Sequence, residues 1–94
     1  MTRIAVSGKT YLAALDPAAT GAHEEGLVAV ERRRVGRGFR VIYDLDDDHL
    51  AALIRRLDAV GVSLLDADDN STREEGRSCL RDRDRLRKEA GSPS

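Results

Sequence analysis

Residues 39–61, FRVIYDLDDDHLAALIRRLDAVG, carry two hydrophobic periods joined by an acidic hinge. Phe39, Val41, Tyr43 and Leu45 alternate with Arg40 and Asp44, the two-residue period of a strand with one buried face. Leu50, Leu53, Ile54 and Leu57 follow at i, i+3, i+4 and i+7, the stripe of an amphipathic helix. Asp46, Asp47 and Asp48 stand where that helix begins, so their charge meets the partial positive charge of its first turn. Arg55 and Arg56 fall late, and Gly61 reads as the stop. A strand therefore runs directly into a helix over 46–60.

Working back from this strand, LVAVERRRV (27–35) reads as a second strand and Gly36 as the turn. A two-residue loop of Gly36 and Arg37, with Gly36 supplying the positive φ of a type II′ turn, opposes Val30 to Tyr43 and Val28 to Leu45. A three-residue loop opposes Glu31 to Tyr43 and Ala29 to Leu45 instead. The two-residue loop gives the apolar face, so the sequence predicts a β-hairpin over 27–45. The same register sets Arg33 opposite Arg40 on the outer face, with Arg37 at the tip. Like charges across a strand pair repel by a few tenths of a kcal/mol, about the lower end of cross-strand pair energies, and an anion relieves that repulsion. Arg33, Arg37 and Arg40 are therefore the candidate binding residues, for phosphate, nucleic acid or an acidic protein surface.

Ahead of the hairpin, RIAVSGKTYLAAL (3–15) reads as a first strand, with Gly8 and Lys9 at a bend or on its wet face. VSGKTY ends in the letters of a phosphate-binding loop. That loop needs a glycine five residues before Gly8, where this chain has Arg3, and it needs a long helix after it, where Pro17 intervenes. DPAATGAHEEG (16–26) reads as a loop. After the hairpin and helix, Val62, Leu64 and Leu65 are expected to pack on the core as a short strand or extra turn. Ser71 and Glu74 stand at capping-box spacing before a charged second helix. Gly76 weakens that helix and its apolar residues are few, so residues 71–94 are expected to be loosely docked or projecting, separable from a 1–70 core domain. GSPS (91–94) reads as a disordered end.

The 94 residues allow one core. A single cysteine, Cys79, excludes an intramolecular disulfide and a cysteine-based zinc cage. The sequence carries no apolar run of membrane-spanning length, and the expected compartment is the cytoplasm. Fourteen arginines against two lysines fit GC-rich codons, and so a high-GC bacterium, its plasmid or its phage. The net charge of −1 hides a segregation. Residues 27–43 carry five Arg and one Glu, whereas residues 44–70 carry eight Asp and two Arg.

VIYDLDDDHL resembles the first motif of haloacid-dehalogenase-type phosphatases, in which Asp44 would be the nucleophile and Asp46 the general acid. The family's threonine two places after the second acid is Asp48 here, and Lys9 and Lys88 leave no mid-chain lysine. Asp44, Asp46, Asp48 and His49, with DADDN at 66–70, offer oxygens for a cation but lack the midway glycine and terminal Glu of a calcium loop. The order strand, acid-capped helix, Gly-turn and Ser-capped helix is similar to ribbon-helix-helix DNA-binding proteins. That resemblance implies that two chains pair their strands and that Arg40, Ile42 and Asp44 face DNA.

The sequence thus predicts an α+β fold: a small antiparallel sheet of about three strands packed on the 46–60 helix, with a charged C-terminal helix. It predicts a small non-enzymatic binding or accessory protein without a cofactor or metal, whose partner is a protein or nucleic acid. The alternative is a ribbon-helix-helix-like DNA-binding regulator, and among partners a second copy of the chain is allowed.

Overall fold

A computed structural model describes residues 1–16 and 26–90. The loop expected over 16–26 lies outside the described residues but for its two ends, and the end at 91–94 lies wholly outside. Among the described residues the chain forms a three-stranded antiparallel sheet and three helical segments, the α+β class expected. Strand β1 is Thr2–Ser7, β2 Glu31–Val35 and β3 Gly38–Leu45. Segment α1 is a short turn, Gly8–Thr10, continued by a π-helical stretch, Tyr11–Leu15; α2 is Asp47–Leu65 and α3 Asn70–Ala90.

The hairpin has the two-residue loop and register read from the sequence. Val35 pairs with Gly38, Arg33 with Arg40 and Glu31 with Ile42, and Gly36 takes φ +58°. The regular strand begins only at Glu31, although the backbone N–H of Val30 still donates to the Ile42 carbonyl at 2.8 Å. The expected burial of Val28 and Val30 over the core is overturned, since each is 53% exposed. The cause is strand order. β3 is central, with β1 on one edge and β2 on the other. The buried face is built from Ile4 and Val6 of β1 beside Val41, Tyr43 and Leu45 of β3, whereas every residue of β2 is exposed. The helices cover β1 and β3, and β2 overhangs them.

The first strand is shorter than predicted. Ser7 ends it by accepting a bond from Thr10 N–H through its Oγ, an N-cap that turns the chain into a helix. Thr10, Tyr11, Ala14 and Leu15 are then buried at helical spacing. Gly8 lies under the Phe39 ring, 2.6 Å from where a Cβ would stand, so no larger residue fits without displacing the ring.

The helix α2 opens as predicted. The Asp46 side chain accepts from His49 N–H at 2.8 Å, and Leu50, Leu53, Ile54 and Leu57 are buried. It does not stop at Gly61 but continues to Leu65, and Gly61 is buried within it. Val62 and Leu65 are therefore on the outer side of a helix rather than on the core. The cap of α3 is Asp69 rather than Ser71: its carboxylate accepts from Thr72 N–H at 2.9 Å. α3 packs along α2 and contributes Cys79 and Leu86 to the single core cluster. Arg83 and Arg87 of α3 pair with Asp58 of α2, and Arg56 Nε donates to the Ala14 carbonyl at 2.7 Å, fixing α2 on α1.

A polar cluster explains how α3, with so few apolar residues, is held to the sheet. Asp82 Oδ2 accepts from Ser7 N–H at 3.1 Å and from Thr10 Oγ1 at 2.6 Å. Ser78 Oγ lies 2.8 Å from both the Ser7 and the Thr10 hydroxyl. Arg85 pairs with Asp82 and donates to the Ala5 carbonyl. Ser7, Thr10, Ser78 and Asp82 satisfy one another, while the buried Nε of Arg85 has no hydrogen-bond partner among the described residues. This is the role of VSGKTY: Ser7 and Thr10 join β1 and α1 to α3.

Candidate anion-binding face on the hairpin

Arg32, Arg33, Arg34, Arg37 and Arg40 are all exposed on the overhanging hairpin. Arg33 and Arg40 face each other on the outer side, as the register predicted, and Arg33 is partly neutralised by Glu31, whose Oε2 is 2.7 Å from it. Arg37 does not join that pair; with Arg32 and Arg34 it lines a hollow of about 410 Å³ beside Gly38 and Phe39. The three predicted residues are thus divided between the two faces of one hairpin.

Sequence reasoning missed Arg32 and Arg34, and with them the aromatic pair beneath. The Arg32 guanidinium stands 5.1 Å from the ring centres of both Tyr11 and Phe39, and those rings meet edge to face at 6.4 Å. Cation–π contact of this kind is worth ~0.5–2 kcal/mol and holds the side chain in place while leaving its N–H donors available. The signal in the sequence is the parity of Arg32 and Arg34, which share the inner strand face with Phe39. On the far side of Phe39 a second cleft, of about 470 Å³, is lined by Ser7, Gly8, Lys9, Leu12 and Glu75.

Asp44, Asp46 and Asp69 are committed elsewhere. Asp44 is held by two bonds from Arg3, at 3.0 and 3.2 Å. The Arg3 bond, with its charge, keeps the Asp44 carboxyl below the ordinary carboxylate range. Asp46 is lowered by the backbone N–H and then the side chain of His49, and Asp69 by the side chain and then the backbone N–H of Thr72. A general acid at neutral pH needs its proton held more tightly than usual, which is the opposite of what the Asp46 cap does. Among the described residues no group of three or more His, Cys, Asp or Glu side chains is placed to hold a metal ion. Burial, followed by the Asp82 and Glu75 carboxylates, pushes the Cys79 thiol up to about 11, so it is no ready nucleophile.

A ribbon-helix-helix dimer builds its DNA-reading ribbon from one strand of each chain. Here β1 and β2 occupy both edges of β3, and Ile42 is buried. Among the described residues no helix is long and apolar enough to cross a membrane. No protein-family model, curated protein or solved structure matches this chain.

Proposed function

We propose that the protein is a small non-enzymatic binding module of the cytoplasm that contacts an anionic partner through its basic hairpin. The observation that carries this reading is Arg33 opposite Arg40 on a strand pair whose β2 side no helix covers. Arg37, Arg32 and Arg34 extend the same positive potential around the turn. Among the described residues, Arg32, Arg34, Arg37 and Arg40 have no carboxylate in salt-bridge contact, and Arg33 has only Glu31. Exposed charges of one sign on a protruding edge also keep that edge from pairing with another sheet, but that alone does not require five of them.

The test is thermal stability in sulfate or phosphate against chloride at matched ionic strength. Kosmotropic anions stabilise proteins in general, so the variants carry the result. Arg33→Gln and Arg40→Gln should each remove part of the anion-specific gain and slightly raise stability in low-phosphate buffer. An anion response unchanged in both variants leaves the arginines as a solvated face and ends the proposal.

A further inference from the structure

We infer that the hairpin end of the molecule is a site for single-stranded nucleic acid, in which Arg32, Arg34 and Arg37 hold phosphates and the cleft beside Phe39 takes an unpaired base. The inference rests on the anionic-partner reading and narrows it to one chemistry. Its basis is the adjacency of two unlike hollows that share Gly38 and Phe39. One presents three guanidinium groups. The other, with Leu12 56% exposed at its side and the side-chain-free backbone of Gly8 against the Phe39 ring, presents a flat apolar surface. Its volume lies within the ~300–1,000 Å³ typical of small-ligand sites. Single strands are bound by this combination, a positive track for the backbone and an aromatic or apolar platform for the bases.

Charge sets the orientation. The second cleft carries one cation, Lys9, and one anion, Glu75, whose charges offset, whereas the other hollow carries three arginines and no acid, which assigns the phosphates to the arginine side. An acidic peptide would satisfy the arginines yet leave the apolar surface beside Phe39 unused. A duplex offers phosphates but keeps its bases stacked on one another. On β3 the acid nearest in sequence is withdrawn: Asp44 lies five residues from Phe39, about 17 Å at strand rise, and is neutralised by Arg3.

Fluorescence anisotropy of the full chain with a labelled single-stranded oligonucleotide of about 12 nucleotides, within the ~4–16-nucleotide range of small single-strand sites, tests this across a salt series. The same sequence as duplex, and heparin, serve as comparisons. The single strand should bind about tenfold more tightly than the duplex. Arg34→Gln and Arg37→Gln should each make the slope of log K against log salt shallower by about 0.7. Phe39→Leu should weaken single-strand binding about tenfold and heparin binding much less, since Tyr11 still holds Arg32, as expected for lost stacking. Leu12→Ser, at an exposed position that the fold does not need, should do the same to a lesser degree. Duplex binding as tight as single-strand binding overturns the inference. So does heparin binding with no effect of Phe39→Leu and Leu12→Ser on the oligonucleotide, and in both cases the anionic-partner reading stands. Failure to bind heparin and oligonucleotide alike removes both.

Discussion

Gly61 of α2 and Gly76 of α3 meet where the two helices cross. A Cβ on Gly76 would stand 2.9 Å from the Gly61 carbonyl oxygen and 3.0 Å from Leu64 Cβ, and a Cβ on Gly61 would stand 2.7 Å from Leu80 Cδ2. Glycine inside a helix costs about 1 kcal/mol relative to alanine, so alanine should stabilise both positions if the helices were apart. Overpacking costs ~1–3 kcal/mol, which reverses the sign. Gly76→Ala should lower the melting temperature more than Gly61→Ala, because the obstacle at Gly76 is backbone and the obstacle at Gly61 is the far end of a leucine. A rise in melting temperature for Gly76→Ala would disprove the crossing.

Tyr43 is fully buried and its hydroxyl has no hydrogen-bond partner among the described residues. Burial also raises its pKa, with Tyr11 second as a cause. An unsatisfied buried hydroxyl costs about 1–3 kcal/mol. Tyr43→Phe keeps the ring and removes the cost, and we expect it to stabilise by about 1 kcal/mol in urea unfolding. A destabilised variant means that the hydroxyl is bonded in solution.

The C-terminal helix should be required for folding. Removing the chain after Asn70 takes Cys79 and Leu86 from the core and Asp82 from the Ser7 and Thr10 hydroxyls. Leu86→Ala alone should cost about 2–5 kcal/mol, the range for a buried leucine. Retention of a cooperative melt by residues 1–70 would show instead that the sheet and α2 suffice.

Acid should weaken the fold through Asp44, Asp46 and Asp69. Each has a folded pKa below its ordinary value of 3.8. A lowered folded pKa contributes stability that is fully present above the unfolded value and is lost as pH falls through the folded one. The melting temperature should therefore drop as pH descends below the ordinary carboxylate range. Asparagine caps a helix about as well as aspartate, so Asp46→Asn and Asp69→Asn should flatten that drop with little change at neutral pH. Equal acid sensitivity in the double variant and the parent counts against the caps as its source.

The hairpin register was legible because Gly36 and the alternation of β3 are local signals, and the register in turn fixed Arg33 against Arg40. The arginine–aromatic arrangement was not, because Tyr11 reaches Arg32 only after α1 has folded back beside β3. The expected core face of the hairpin failed at Val28 and Val30 for a related reason: period shows that a strand has two faces but not whether a helix covers both of its edges.

What the sequence determined by itself are the features set within a turn or a strand pair: the α+β class, the two-residue turn, the Asp46 cap, and the Leu50–Leu57 stripe. Their causes are backbone sterics, short-range hydrogen bonds and periodicity, all readable from neighbours in the chain. Only the tertiary structure decided the strand order, the close crossing at Gly61 and Gly76, and the anchoring of Ser7 and Thr10 to Asp82 across 72 or more residues. At Gly61 the local signal pointed the other way, to a helix end. The outcome was set by which distant surface arrives, since the missing side chain of a glycine and the oxygen of a carboxylate act only on what is packed against them.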